Sequence, residues 1–388
     1  MIQDSVAKDI TSNDPIFDDI RPCRDDEVHA ELVKICSDQT VITSILKFRH
    51  PFFSGALSFL LAPFVRRYLK KTVASIHTIA DFQKMVQAYM MHVINTTTDG
   101  VRYEGFESLE KGKGYLFISN HRDIALDPAF IDMALVSQGL DTVRIAIGDN
   151  LLRIPAATSL MRLNKSFIVK RSKLSPREKL KALTHLSEYI GLSVHEGHSV
   201  WIAQREGRAK DGDDRTEDAV LKMLSLYGRK LKQDFASYMS SLRIVPVSIS
   251  YEYDPNDLAK ARELDERERN NGEYHKDKLE DIETITRGIS SYKGRVVIKA
   301  GKPLTQDFAT PEQLATAIDD FVWKNYEMFP STLISAGEQC SDEESIRKFE
   351  ARISSYPENL RERIKSMYRK PFENRLKAME GGEQDAKA

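Results

Sequence analysis

Apolar residues recur at helical spacing over 26–48 and again over 79–95, and an uncharged, largely apolar run lies between them at 51–65. This N-terminal stretch predicts helices and carries no strand pattern. The character changes near residue 100. Short apolar runs at 115–119, 142–147, 166–170, 199–203, 243–253 and 295–300 predict strands, and the amphipathic stretches 174–189 and 217–238 between them predict helices. Such alternation predicts an α/β fold: a mixed central sheet flanked by helices, with helical N-terminal and C-terminal regions.

The boundaries that follow are a helical N-terminal region over 1–99, an α/β domain over 100–305 and a helical C-terminal region over 306–388. Inside the second, 254–285 is rich in charge and has little to bury, so it predicts a solvated helical insertion with no part in any chemistry. The last region has helix starts at Thr310-Pro311 and Ser341-Asp342, each followed by acidic residues that suit the helix dipole. Residues 381–388 predict a disordered tail. No internal repeat is present.

Composition narrows the function classes. With 388 residues, 41% of them hydrophobic, the chain can bury a large core and exceeds one minimal domain. A formal net charge of −1 argues against a nucleic-acid partner bound through bulk electrostatics, so any anion site must be local. Cys23, Cys36 and Cys340 are scattered and lack ligand spacing, which fits a reducing, cytoplasmic setting. Residues 1–19 are acidic and lack the apolar core of a signal peptide. No run reaches the ~18–20 apolar residues of a spanning helix. The 51–65 run would cover ~22 Å as a helix and leads into Arg66, Arg67, Lys70 and Lys71. It reads either as a segment lying in a membrane interface, basic end on anionic headgroups, or as a core helix interrupted by Pro63.

Chemistry concentrates after the 115–119 strand. Ser119-Asn120-His121-Arg122-Asp123-Ile124-Ala125-Leu126-Asp127-Pro128 puts a histidine and two carboxylates at a strand end, where α/β sheets hold their functional groups. Asp127-Pro128 reads as an N-cap with Pro in the first helical position, which makes 120–126 the connecting loop. His-Arg-Asp alone suggests a kinase catalytic loop. Pro128 stands where that loop needs Asn, and no Gly-rich loop or Asp-Phe-Gly is present. His195 and His198 read as a helix end followed by a turn, and no metal site is expected.

Four blocks in order resemble the glycerol-3-phosphate and lysophosphatidate O-acyltransferase superfamily, the PlsB/PlsC-like enzymes, over roughly 100–305. They are Asn120-His121 through Asp127; Gly148-Asp149-Asn150-Leu151 continuing to the run from Arg162 to Arg171; Trp201 through Arg205-Glu206-Gly207-Arg208; and Val245-Pro246-Val247 through Tyr251-Glu252. Gly301-Lys302-Pro303 is similar to the family's closing turn.

The resemblance implies an acyltransferase moving a fatty acyl group from acyl-CoA or acyl-carrier protein to a hydroxyl of a phosphorylated glycerol, glycerol 3-phosphate or its 1-acyl form. No metal or bound cofactor is implied. Taking the hydroxyl proton near neutral pH suits an imidazole, and a carboxylate on its far nitrogen fixes the tautomer. His121 is the expected base. The family spacing is His-x4-Asp, whereas Asp127 follows His121 after five residues; Asp127 is favoured as its partner, with Asp123 the alternative. Arg171 and Arg208 are the expected phosphate ligands, with Lys170 and Arg162 as weaker candidates. Glu206 is the expected positioning carboxylate, Gly207 admits close backbone approach, and Arg205 stands where the family has Glu. Pro246 is expected to shape a pocket wall, while Tyr251 and Glu252 receive no role. The setting implied is the cytoplasmic face of a membrane, with peripheral or monotopic attachment. A lipid-binding protein that kept the fold but not the reaction, and a thioesterase-like hydrolase, are the alternatives.

Overall fold

The computed structural model describes residues 10–39, 56–152, 155–171, 174–277 and 279–385, with side chains left undescribed over 56–62, 64–65 and 381–385. Its strands are β1 Val101–Glu104, β2 Leu116–Ser119, β3 Arg144–Gly148, β4 Ser166–Val169, β5 Val200–Ala203, β6 Ile244–Tyr251 and β7 Val296–Ala300. Six match the apolar runs. β1 is additional: two of its four residues are charged, so no apolar run marks it, and pairing with β7 supplies what the pattern lacks.

The chain forms two compact units that cut across the serial division expected: 1–89 with 144–189, and 90–143 with 190–388. In the second unit β1 runs parallel to β7, β7 antiparallel to β6, β6 parallel to β2, and β2 parallel to β5. The sheet is therefore mixed and helices flank it. β2 and β6 are buried along their whole length, as strands covered on both faces must be, which is why they read as continuous apolar runs. β5 and β6 flank β2 on opposite sides, so the chain leaves β2 at a switch point, and the following loop opens beyond the carboxyl ends of the strands.

Helices of this unit depart from expectation in three places. The 217–238 helix is three short ones, Asp218–Leu224, Leu226–Lys230 and Phe235–Ser241. Ser225 turns its hydroxyl onto the Lys222 carbonyl, Lys232 takes a positive φ of 59°, and Asp234 caps a fresh start. The 254–285 stretch holds helices Asp257–Arg269 and Glu280–Ser290, whose inner faces are buried. The final helix, Glu358–Asp385, passes the expected end at 380; residues 386–388 lie outside the described residues. Thr310 and Asp342 cap helices Pro311–Asn325 and Glu343–Ser354. The C-terminal helices pack Phe349, Ile353, Leu360, Ile364 and Met367 against Tyr253 and Ala261.

In the first unit β3 and β4 are parallel neighbours. Cys23, Val28, Leu32, Ile76, Phe82 and Leu163 form its core. Helix Val28–Ser37 covers the start of the 26–48 prediction, the remainder of which, from residue 40, lies outside the described residues. Helix Ala56–Val73 contains Pro63 and exposes Arg66, Arg67, Lys70 and Lys71; residues 51–55 lie outside the described residues. Among the described residues no helix is long and apolar enough to cross a membrane.

Asp319, on helix Pro311–Asn325, gives this fold a measurable pH dependence. Its Oδ1 accepts the Thr216 N–H at 2.7 Å and hydroxyl at 2.6 Å, yet burial pushes the carboxyl up to about 6. The folded chain then holds a proton that the unfolded chain releases, so this contribution is complete below the unfolded value and lost as pH rises through 6. Asp319→Asn is expected to remove that slope. The variant should match or exceed wild-type stability at pH 7, by at most about 3 kcal/mol, in denaturant melts compared at pH 4 and 7.

Candidate active site

The site begins with an asparagine that prolongs a strand. Beyond the end of β2 the side-chain carbonyl of Asn120 accepts the Ile249 N–H at 2.8 Å, and its amide donates to the Ile249 carbonyl at 2.9 Å. The side chain takes over the ladder to β6, and the main chain is released to turn. His121 sits in that turn, 13% exposed at its side chain. Its Nδ1 is 2.8 Å from Asp127 Oδ2. Its ring meets Trp201 of β5 edge to face, with centroids 5.6 Å apart. Trp201 in turn donates its indole N–H to Ser119 Oγ at 3.0 Å.

Asp127 is fully buried and saturated. Oδ2 also accepts the backbone N–H groups of Arg122 and Asp123 at 2.6 and 2.9 Å, and Oδ1 accepts the Tyr251 hydroxyl at 2.8 Å. The expected N-cap at Asp127 is not what forms. The helix runs Leu126–Ser137, and Asp123 serves its first turn, Oδ1 accepting the N–H groups of Ala125 and Leu126 at 3.0 and 2.9 Å. Pro128 is tolerated as the third helical residue, where no intrahelical bond is lost. The two carboxylates thus divide the tasks that the sequence assigned to one. Burial first, and the neighbouring Asp127 second, push the Asp123 carboxyl above its ordinary range, against the pull of Arg208.

The charged insertion stands directly behind this loop, contrary to the solvated reading. Asn256 donates to Asp123 Oδ2 at 3.3 Å and to the Thr284 carbonyl at 3.2 Å. Lys260, fully buried, donates to the Arg122 carbonyl at 2.7 Å and pairs with Asp254. Arg122 turns inward, pairs with buried Asp214 and lies over the Tyr326 ring at 5.2 Å. A Cβ on Gly288 would overlap the Asp123 carboxylate. Asp257, Lys260 and Glu263 share one helical face, and each buried charge has a partner: Asp257 takes Arg352 at 2.9 Å and the Tyr368 hydroxyl at 2.8 Å, and Glu263 pairs with Lys210. In a sequence such a face is indistinguishable from a solvated one, because the partners lie far along the chain. Tyr251, Arg122 and Lys260 were missed for that reason. The one available signal was a tyrosine closing a long, largely apolar strand.

The loop after β5 returns to the histidine. Ala209 donates its N–H to the His121 carbonyl at 3.0 Å. Arg208 beside it is half-buried, influences Asp123, and forms no ion pair among the described residues. Gly207 takes a φ of +75° with open space where a Cβ would stand, so the turn requires glycine for its backbone conformation. Glu206 is exposed, its N–H on Glu217. Arg205 reaches Glu217 at 3.8 Å and the Asp213 carbonyl at 3.5 Å. Glu252 is engaged by Arg295. Among the described residues no group of three His, Cys, Asp or Glu could hold a metal.

The structure therefore brings together His121, Asp123, Asp127 and Arg208. Lys170, Arg171 and Arg162 belong to the first unit. There Lys170 pairs with Asp19, the Arg171 N–H donates to Asp149 at 3.1 Å, and Arg162 donates to the carbonyls of Arg21 and Asp18 at 3.1 and 3.4 Å.

Residues 100–250 match the family model described as Acyltransferase. The chain therefore carries an acyltransferase domain over these residues. A solved structure of 1-acyl-sn-glycerophosphate (LPA) acyltransferase, PlsC, from Thermotoga maritima is similar over 76% of this chain and 91% of that one, at 16% identity and a TM-score of 0.35. No curated protein matches the sequence. In this acyltransferase the matched segment holds His121, Asp127 and Arg208, while Tyr251, Asp254, Asn256 and Lys260 lie beyond it.

Lys260→Met is expected to destabilise the enzyme by about 3–5 kcal/mol, because it strands Asp254 without its cation and the Arg122 carbonyl without its donor. Combining it with Asp254→Asn should recover part of the loss. Urea unfolding of both variants checks this.

Proposed function

We propose that this acyltransferase moves a fatty acyl group from acyl-CoA or acyl-carrier protein to a hydroxyl of glycerol 3-phosphate or 1-acylglycerol 3-phosphate, in phospholipid biosynthesis. The observation carrying the proposal is the His121–Asp127 pair. With Nδ1–H donated to Asp127, Nε2 is the nitrogen left to accept a proton. The acceptor oxygen attacks the thioester carbonyl as Nε2 takes its hydrogen, the tetrahedral intermediate collapses, and the departing thiolate recovers the proton from the imidazolium. Backbone amides stabilise the oxyanion. A phosphomonoester on the acceptor finds in Arg208 an arginine whose charge is not paired among the described residues, which supports that residue as its ligand.

The choice of a phosphorylated glycerol rests on the four sequence blocks. Attachment to the cytoplasmic face of a membrane belongs to the same proposal: the product is a lipid, and helix Ala56–Val73 ends in the exposed basic residues Arg66, Arg67, Lys70 and Lys71.

Purified enzyme given labelled acyl-CoA, or labelled acyl-carrier protein, with a panel of acceptors including none should label the glycerol phosphates. Acyl release without an acceptor would point to a hydrolase instead, and binding without turnover to a lipid-binding protein. His121→Ala is expected to lower transfer ~10²–10⁴-fold with the fold retained; activity within a few-fold of wild type would refute the assignment.

Arg208→Ala is expected to raise the KM for the phosphorylated acceptor ~10–100-fold with kcat little changed, since a charge-assisted bond worth ~1.5–3 kcal/mol acts in ground and transition states alike. A change confined to the donor KM would move Arg208 to the other substrate.

A further inference from the structure

We infer that Tyr251 is a positioning residue for the His121–Asp127 pair, its hydroxyl fixing the Asp127 carboxylate and drawing charge away from it. The inference rests on the reading of His121 as the base. Three of the four donors to Asp127 fall on Oδ2, and all three come from the loop itself: the His121 ring and the N–H groups of Arg122 and Asp123. Among the described residues Tyr251 alone serves Oδ1, at 2.8 Å, and it does so from the end of β6. A carboxylate torsion is soft, so one donor on the second oxygen, anchored in the sheet, sets the plane in which Oδ2 meets Nδ1.

Packing does not call for the hydroxyl. The Tyr251 ring lies 6.0 Å from that of Phe130, and a phenylalanine would keep this contact. Burying a phenolic oxygen is unfavourable unless it is bonded, and Asp127 supplies the bond. Burial, and next Asp127 itself, raise the hydroxyl far above its ordinary range, so it stays a donor wherever the protein is folded. Removing that donor leaves more negative charge on Asp127 facing the imidazole, which favours the imidazolium. The other charged groups around the pair stay as they are: Asp123 on the same loop, Arg208 after β5, Asp254 after β6, the Arg122–Asp214 and Lys260–Asp254 pairs, Arg287 through Asn256, and Lys293 before β7.

The test is Tyr251→Phe, with the His121 imidazole followed by ¹⁵N NMR titration and with kinetics over pH. The titration midpoint should rise by about half to one pH unit. The acid limb of kcat/KM should shift by the same amount, kcat should fall ~10-fold, and the acceptor KM should hold. A residue that only packs would change stability and leave the midpoint alone, so an unmoved or lowered midpoint, or a kcat within twofold of wild type, overturns the inference. If the variant fails to fold, 3-fluorotyrosine at position 251, a stronger donor, should lower the midpoint; an unmoved value would overturn it equally. The titration requires no acyl transfer, so it stands even if the proposed reaction fails the acceptor panel.

Discussion

Two ion pairs buried behind the loop after β2, Arg122 with Asp214 and Lys260 with Asp254, are the constraint on which the site depends. Burying four charges is costly, and an apolar filling of the same volume would serve stability as well or better. What the charges provide is direction. Lys260 grips the Arg122 carbonyl at 2.7 Å while the Arg122 guanidinium pairs with Asp214, so the carbonyl and the side chain of one loop residue are both held. The N–H of the same residue donates to Asp127 at 2.6 Å, so the carboxylate is tied to a residue held at both its carbonyl and its side chain.

How far this was legible in the sequence depended on whether a residue's partner lay nearby. β2 and β6 could be read because strands buried on both faces draw mostly apolar residues. β1, with Arg102 and Glu104 among its four residues, could not. His121, Asp123 and Asp127 stood out because they share one short stretch of sequence. Lys260, Tyr251 and Asp214 stayed hidden, since a pattern shows where charges recur and not whether a distant counter-charge awaits them. The misreading of 254–285 as solvated is the same failure in its largest form.

The departure from His-x4-Asp spacing has a simple structural resolution. A helix needs an acceptor for its first N–H groups, and a base needs a carboxylate on its far nitrogen. With the capping given to Asp123, Asp127 keeps Oδ2 for the ring and the turn, and the additional residue is absorbed where the loop passes into the helix. Gly288 completes the arrangement by leaving room for the Asp123 carboxylate.

The Tyr368 hydroxyl, which accepts the Asp254 N–H at 2.9 Å and donates to Asp257 at 2.8 Å, bears on how the protein is made. It lies on helix Glu358–Asp385, so the strut behind His121 closes only after that helix has been made. At ~5–20 residues per second, roughly 250 residues of synthesis, some 10–50 s, separate His121 from this support. During that interval Arg122, Asp254 and Lys260 are free to sample wrong pairings. Long-range closure of this kind slows folding, and a nascent chain stalled within that helix would carry His121 on an unbraced loop.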